Sequence, residues 1–272
     1  MLTKPSRTEL EIRTMQIGKQ MLRVGIKPGS SDVPPLLLFN GIGASLELAA
    51  TFMQSMRAVK VIIFDVPGIG GSPRYDLPYR LPTIARLGAD LMHALGHDEV
   101  DVAGVSWGGA LAQQFARQYP ALCRKLVLMA TSPGSIMVPG RLSVLLKLAS
   151  PRRYVDRSYM GAIAAEIYGG AFRDDPALVA SHANAITDVN SLGYFYQLLA
   201  VVGWSSLPWL HSLKQPTLVL SGNDDPIVRP INCRILSALI PNARFETLDD
   251  GHLFMVSQPD AVAEMVESFL RG

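Results

Sequence analysis

Short, uninterrupted apolar runs alternate along this chain with longer stretches whose apolar residues recur every three or four positions. The runs at 35–39, 61–64, 100–105 and 126–129 are rich in Leu, Ile and Val and too short for buried helices, so they predict strands. Between them the apolar segment 46–56 predicts a helix. Ile84, Leu87, Leu91 and Leu95 predict an amphipathic helix over 83–95, and a further helix follows Ser106 through about Gln118. Strands that are apolar throughout are covered on both faces, which predicts a mostly parallel sheet flanked by helices. Ahead of this block, residues 11–17 and 21–27 flank Gly18-Lys19-Gln20 and predict a hairpin.

The rhythm stops near Gly134. From there to about His211 the pattern is helical, with turn signals at Pro151 and Gly169-Gly170, and the segment carries nine of the chain's twenty aromatic residues. Strands return at 217–221 and 244–248, and an amphipathic helix over 262–270 closes the chain. The expected organisation is an α/β core from 1–133 and 212–272, interrupted by a helical lid over 134–211. There is no internal repeat.

Composition narrows the partners. The 272 residues carry a formal charge of +2, with 49% hydrophobic and 18% charged residues, and no basic run suggests a nucleic-acid surface. The densest positive spots, Lys4 with Arg7 and Arg152 with Arg153, read as solvated surface. Cys123 and Cys233 are far apart and off any motif, as in a reducing compartment. The first residues contain no apolar stretch of signal-peptide length, and no run approaches the ~20 apolar residues of a membrane span, so a cytoplasmic protein is expected. No His/Cys/Asp cluster stands at metal-ligand spacing and no glycine fingerprint for a nucleotide occurs; no cofactor is expected.

Chemistry enters at Gly104-Val105-Ser106-Trp107-Gly108, a G-x-S-x-G between a predicted strand and a predicted helix. That is the nucleophile elbow of the α/β-hydrolase fold, with Ser106 at the apex. A serine hydroxyl needs a base to take its proton. Of five histidines, His252 follows the last strand in Asp249-Asp250-Gly251-His252, at the carboxyl edge where catalytic groups gather. His93, His97, His182 and His211 read as surface or satisfied polar residues. The acid follows the nucleophile and precedes the histidine in this fold. The strand ending near Ser221 leads into Gly222-Asn223-Asp224-Asp225-Pro226, where Asp225 stands at the usual spacing from the glycine and Asp224 is the alternative. Asp249 and Asp250 are expected to shape the histidine loop. The oxyanion donors are expected to be the backbone N–H groups of Trp107 and of Ile42, in Asn40-Gly41-Ile42-Gly43, where many relatives carry His-Gly and Asn40 could brace the loop.

Longer stretches carry a closer likeness. Phe39 to Ala44, Phe64-Asp65-Val66-Pro67-Gly68, Gly104 to Phe115, Ala149-Ser150-Pro151-Arg152-Arg153-Tyr154, Ile167 to Phe172, Gly203-Trp204, Trp209-Leu210-His211 and Asp249 to Phe254 resemble the intracellular medium-chain-length poly(3-hydroxyalkanoate) depolymerases. The resemblance runs from about Pro35 to the C-terminus, the lid included, with departures at Asn223 and Arg229. It implies an α/β-hydrolase that cleaves stored polyester, or its hydrophobic 3-hydroxyacyl oligomers, through an acyl-enzyme on Ser106, with His252 and Asp225 as the other members of the triad. A peripheral, hydrophobic association with storage granules is expected as well, in line with a mean hydropathy of +0.22 and the aromatic lid. A carboxylesterase or thioesterase on small acyl esters, and an acyltransferase of the same fold, use the same machinery and remain alternatives. The His93-x4-Asp98 spacing of an acyltransferase motif falls at a helix end and reads as coincidence.

Overall fold

Leu37 and Phe39 leave strand β3 (Leu36–Phe39) on one face and Leu36 and Leu38 on the other, and each pair meets its own layer of helices. The computed structural model describes residues 10–186 and 190–272; Lys4 and Arg7 lie outside them. Around β3 stand β1 (Glu11–Ile17), β2 (Gln20–Lys27), β4 (Val61–Phe64), β5 (Val100–Val105), β6 (Cys123–Met129), β7 (Thr217–Gly222) and β8 (Ala243–Leu248). They form one sheet in the order β1-β2-β4-β3-β5-β6-β7-β8. The β1/β2 and β2/β4 pairs are antiparallel and all other neighbours are parallel, so the apolar runs do lie in a sheet buried on both sides.

Before the insertion come helices α1 (Leu46–Ser55), α2 (Leu81–Ala94) and α3 (Trp107–Gln118). The insertion contributes α4 (Leu142–Leu148), α5 (Arg152–Val155), α6 (Arg157–Tyr168), α7 (Pro176–Ala185) and α8 (Ser191–Val201), with 3-10 turns at Gly170–Arg173 and Leu207–Ser212. The chain then adds α9 (Pro230–Leu239), α10 (Phe254–Ser257) and α11 (Pro259–Arg271). Leu91 of α2, Phe115 of α3 and Leu236 of α9 pack with Leu37 and Phe39 on one face of the sheet. Phe52 of α1 and Val262 and Leu270 of α11 pack with Leu36 and Leu38 on the other.

Three boundaries differ from the apolar pattern for physical reasons. Strand β6 starts at Cys123 rather than Leu126, because Arg124 forks the buried Asp101 of β5, with Nε to Oδ1 at 2.9 Å and Nη2 to Oδ2 at 2.5 Å. A charged residue therefore extends a strand whose neighbour neutralises it. Helices α2 and α11 begin earlier than their apolar stripes because proline is tolerated in a first turn, where its missing N–H has no partner to lose.

The insertion leaves after β6 and returns before β7, and its two legs meet. Gly134 bridges Ser205, and the Ser206 N–H donates to Pro133 O at 2.9 Å. Its apolar side chains, among them Met160, Ile167 and Phe172, pack onto Ile227 and Val228 beyond β7. At Gly193 of α8 the approach is close: a Cβ there would lie 2.2 Å from the carbonyl oxygen of Gly68, so no larger residue allows this seating. Among the described residues no helix is long and apolar enough to cross a membrane.

Candidate active site

Strand β5 is buried along its whole length and ends at Val105, and the next residue turns sharply. Ser106 has φ 56° and ψ −117°, a left-handed conformation that costs a non-glycine residue about 1–3 kcal/mol. Two contacts hold it: the Ser106 N–H donates to Met129 O at 2.9 Å, and the Thr131 hydroxyl donates to Ser106 O at 2.7 Å. The motif glycines serve space rather than dihedral freedom, since neither adopts a positive φ. A Cβ at Gly104 would lie 2.1 Å from Gly108 O, and one at Gly108 would lie 2.1 Å from Phe39 O. The elbow is tight because strand, turn and helix are stacked backbone on backbone.

Asp225 and His252 arrive from the loops after β7 and β8. Asp225 Oδ2 lies 2.7 Å from His252 Nδ1, and both residues are buried. Asp225 Oδ1 accepts the N–H groups of Ile227 at 2.8 Å and Val228 at 2.9 Å. A carboxylate with those three donors keeps the proton on Nδ1 and leaves Nε2 with its lone pair. The insertion holds the histidine loop from behind, because the His252 backbone N–H donates to Tyr168 O at 2.7 Å. Asp224 turns away, accepting the Gly170 N–H at 2.8 Å and pairing with Arg173. Asn223 donates to Asp249 Oδ1 at 3.1 Å, and Asp250 accepts the N–H groups of Gly251 and Ala171, tying the histidine loop to the insertion. Ser106 and His252 line the same cavity without a direct hydrogen bond between hydroxyl and ring, as is common before substrate tightens such contacts.

The glycine loop lies over Ser106: a Cβ at Gly41 would be 3.9 Å from Ser106 Cβ. Asn40 braces it, donating to Ser45 O at 2.8 Å and accepting the Gly41 N–H at 2.9 Å. The Gly43 N–H donates to Gln197 Oε1 at 2.7 Å and the Ala44 N–H to Gly41 O at 3.2 Å. That leaves the Ile42 N–H without an acceptor among the described residues, while the Tyr154 hydroxyl holds Ile42 O at 2.6 Å. Trp107 opens α3, so its N–H has no intrahelical acceptor either.

The cavity measures about 310 Å³. Leu48, Leu253 and Val256 form its core side, and Leu145, Leu148 and Leu198 its insertion side. Beyond Ser106, His252, Asn40 and the tyrosines, Arg153 and His182 also reach this lining, and both depart from the solvated or satisfied states that the sequence suggests. Arg152 is exposed, but its neighbour Arg153 is only 3% exposed, since adjacent residues in a short helix point different ways. The Arg153 guanidinium lies 4.6 Å from the Tyr154 ring and 5.5 Å from the Tyr194 ring, while Nε and Nη1 have no hydrogen-bond partner among the described residues. A desolvated cation–π contact is worth about 2 kcal/mol, against several for burying an ion. His182 is also buried, edge-on to Tyr168 and Phe172, and neither ring nitrogen has a partner among the described residues. Burial, and then the charge of Arg153, push its pKa down to about 4, so the ring is neutral near pH 7. The remaining histidines lie elsewhere: His93 and His211 are exposed, and His97 contacts Lys60.

Gln197 is the residue that sequence reading passes over. It receives the Gly43 N–H on its side chain and the Trp107 indole N–H on its carbonyl, the latter at 2.8 Å. A glutamine in an otherwise apolar helical stretch carries no motif, so only the fold reveals that it joins the insertion to both loops beside Ser106.

The sequence pattern of the alpha/beta hydrolase fold family matches residues 34–259. Over 260 residues the chain is 50% identical to the poly(3-hydroxyalkanoate) depolymerase of Ectopseudomonas oleovorans, covering 95% of this chain and 92% of that protein. It is 26% identical over 252 residues to 3-oxoadipate enol-lactonase 2 of Acinetobacter baylyi, covering 89% of this chain and 91% of that one. Among solved structures, the enol-lactonase from Burkholderia xenovorans superposes with a TM-score of 0.82 at 21% identity, over 96% of this chain and 100% of that one, a likeness of fold.

Proposed function

This chain belongs to the α/β-hydrolase family and, within it, to the poly(3-hydroxyalkanoate) depolymerases, and we propose that it hydrolyses hydrophobic 3-hydroxyacyl polyester through an acyl-enzyme on Ser106. The observation that carries the reading is the buried Asp225–His252 hydrogen bond at the wall of an apolar cavity that Ser106 also lines.

In this mechanism Ser106 Oγ attacks the ester carbonyl while His252 Nε2 takes its proton. Asp225 stabilises the imidazolium through Nδ1–H. The oxyanion of the tetrahedral intermediate accepts the N–H groups of Ile42 and Trp107, each worth about 3–4 kcal/mol. Collapse breaks the ester C–O bond, and His252 returns the proton to the departing 3-hydroxyl oxygen. Water, deprotonated by the same ring, then attacks the acyl-enzyme; the acyl–Oγ bond breaks, the imidazolium returns its proton to Ser106 Oγ, and the free acid leaves. The core, residues 1–133 and 212–272, supplies this chemistry; the 134–211 insertion acts as a lid whose leucines shape the trough for the alkyl branch.

The enzyme works in the cytoplasm, peripherally attached to storage granules. Among the described residues, eight of the thirteen exposed large apolar side chains belong to the insertion. Leu142 and Leu146 share one face of α4, and Leu192, Phe195 and Leu199 one face of α8, which supports docking of the lid on an apolar polymer surface.

Purified enzyme should release 3-hydroxyacids from medium-chain-length polyester granules and cleave nitrophenyl octanoate, with Ser106→Ala slower by roughly four orders of magnitude or more. Turnover of short acetates alone would sink the substrate assignment. In the same assay, Phe195→Ser with Leu199→Ser should lower the ratio of granule to soluble-ester activity.

A further inference from the structure

The insertion holds a buried cation that no residue of the described chain neutralises, and it faces the cavity that Ser106 lines. Tyr154 and Tyr194 offer Arg153 their ring faces, while their hydroxyls donate to Ile42 O and Leu148 O, each at 2.6 Å. His182 also lines the cavity, with both ring nitrogens unpartnered among the described residues. A guanidinium stays charged at any working pH, so this wall holds a fixed positive charge on a guanidinium fork whose Nε and Nη1 are unpartnered among the described residues, set among leucines. The acceptor that matches such a fork is a carboxylate.

If the site hydrolyses 3-hydroxyacyl esters, its substrates carry one: every polyester chain and every released oligomer ends in a free carboxyl group. The inference rests on that reading and deepens it. We propose that Arg153, with His182 alongside, receives the terminal carboxylate of a 3-hydroxyacyl oligomer, so that Ser106 cuts the chain close to its carboxyl end. A cavity of about 310 Å³ suits this role, lying at the small end of ligand pockets and so admitting a chain terminus rather than a loop of polymer.

The test compares the dimer of 3-hydroxyoctanoate as free acid and as methyl ester. Wild-type kcat/KM should favour the acid by roughly tenfold or more; Arg153→Met should collapse that preference and Arg153→Lys should restore part of it. A wild type that takes both equally overturns the proposal. So does an Arg153→Met enzyme that slows on both while keeping its preference, which would leave Arg153 a packing role only. A binding arm separates this site from the hydrolase reading. Ser106→Ala protein should bind 3-hydroxyoctanoate roughly tenfold or more tightly than 3-hydroxyoctanamide by calorimetry, and adding Arg153→Met should erase the difference. Equal binding of anion and amide overturns the proposal. If the difference persists while wild type cleaves no ester, the hydrolase reading fails and the anion site stands.

Discussion

Asp101 in the sheet and Arg153 in the insertion are both buried charges, and the chain treats them in opposite ways. Asp101 is forked by Arg124 from the adjacent strand. Asp65, likewise buried, is held by Arg23 and by the N–H groups of Leu46 and Gly71. Arg153 has aromatic faces but no carboxylate, and His182 near it has no hydrogen-bond partner among the described residues. The apolar residues divide in the same way: the sheet buries its leucines and valines, whereas the insertion leaves Leu142, Leu146 and Phe195 exposed. The contrast teaches that the sheet is complete by itself, and that the insertion is completed by what it contacts.

The largest effect expected lies on the core side. Asp225→Asn keeps the shape but disfavours the Nδ1–H tautomer of His252, and should lower kcat by about four orders of magnitude with little change in thermal midpoint; a loss below tenfold would remove Asp225 from its role. The next test sets the two buried charges against each other. Arg124→Met strands Asp101 and should cost about 3–5 kcal/mol in urea unfolding, whereas Arg153→Met removes an uncompensated charge and should cost far less. Equal losses would break the contrast.

A third test reads the insertion through pH. The folded His182 titrates near 4 against 6.5 for an ordinary histidine, so the unfolded chain binds the extra proton between those values. Its contribution is therefore complete above about pH 6.5 and is lost as pH falls toward 4, about 3 kcal/mol in all. Stability of His182→Phe should fall less steeply over that window; an unchanged slope would mean that this ring is not the one being protonated. Smallest is the seam. Gln197→Leu strands the Gly43 N–H, which should cost about 1–3 kcal/mol in stability and slow ester cleavage by roughly tenfold. A variant with wild-type kcat would show that the glycine loop holds itself.

Much of the fold is legible in the sequence because the central strands carry nearly unbroken apolar runs, and a sheet covered on both faces calls for that. Ser106, Asp225 and His252 stand out because each follows a strand, and strand ends are where a parallel sheet exposes side chains. The insertion is harder to read. Arg152 and Arg153 look alike as a basic pair, yet one is exposed and the other buried, because neighbours on a short helix face different ways. His182 and Gln197 lie in helices with weak sidedness, where no periodicity marks a polar residue as turned inward. The G-x-S-x-G motif marks the turn in the sequence, but only the fold shows that its glycines supply room for Phe39 O and Gly108 O.

The bridge between Gly134 and Ser205 gives the insertion a single doorway onto the sheet. Residues gained or lost beyond that doorway leave strand pairing unchanged, so long as the contacts of Tyr168, Ala171 and Gln197 with the loops beside Ser106 and His252 are kept. Loop closure cost rises only slowly with length, so such changes are cheap in stability. One sheet can thus carry insertions of different length at the same doorway, with the few contacts that Tyr168 and Gln197 make as the part that must be kept.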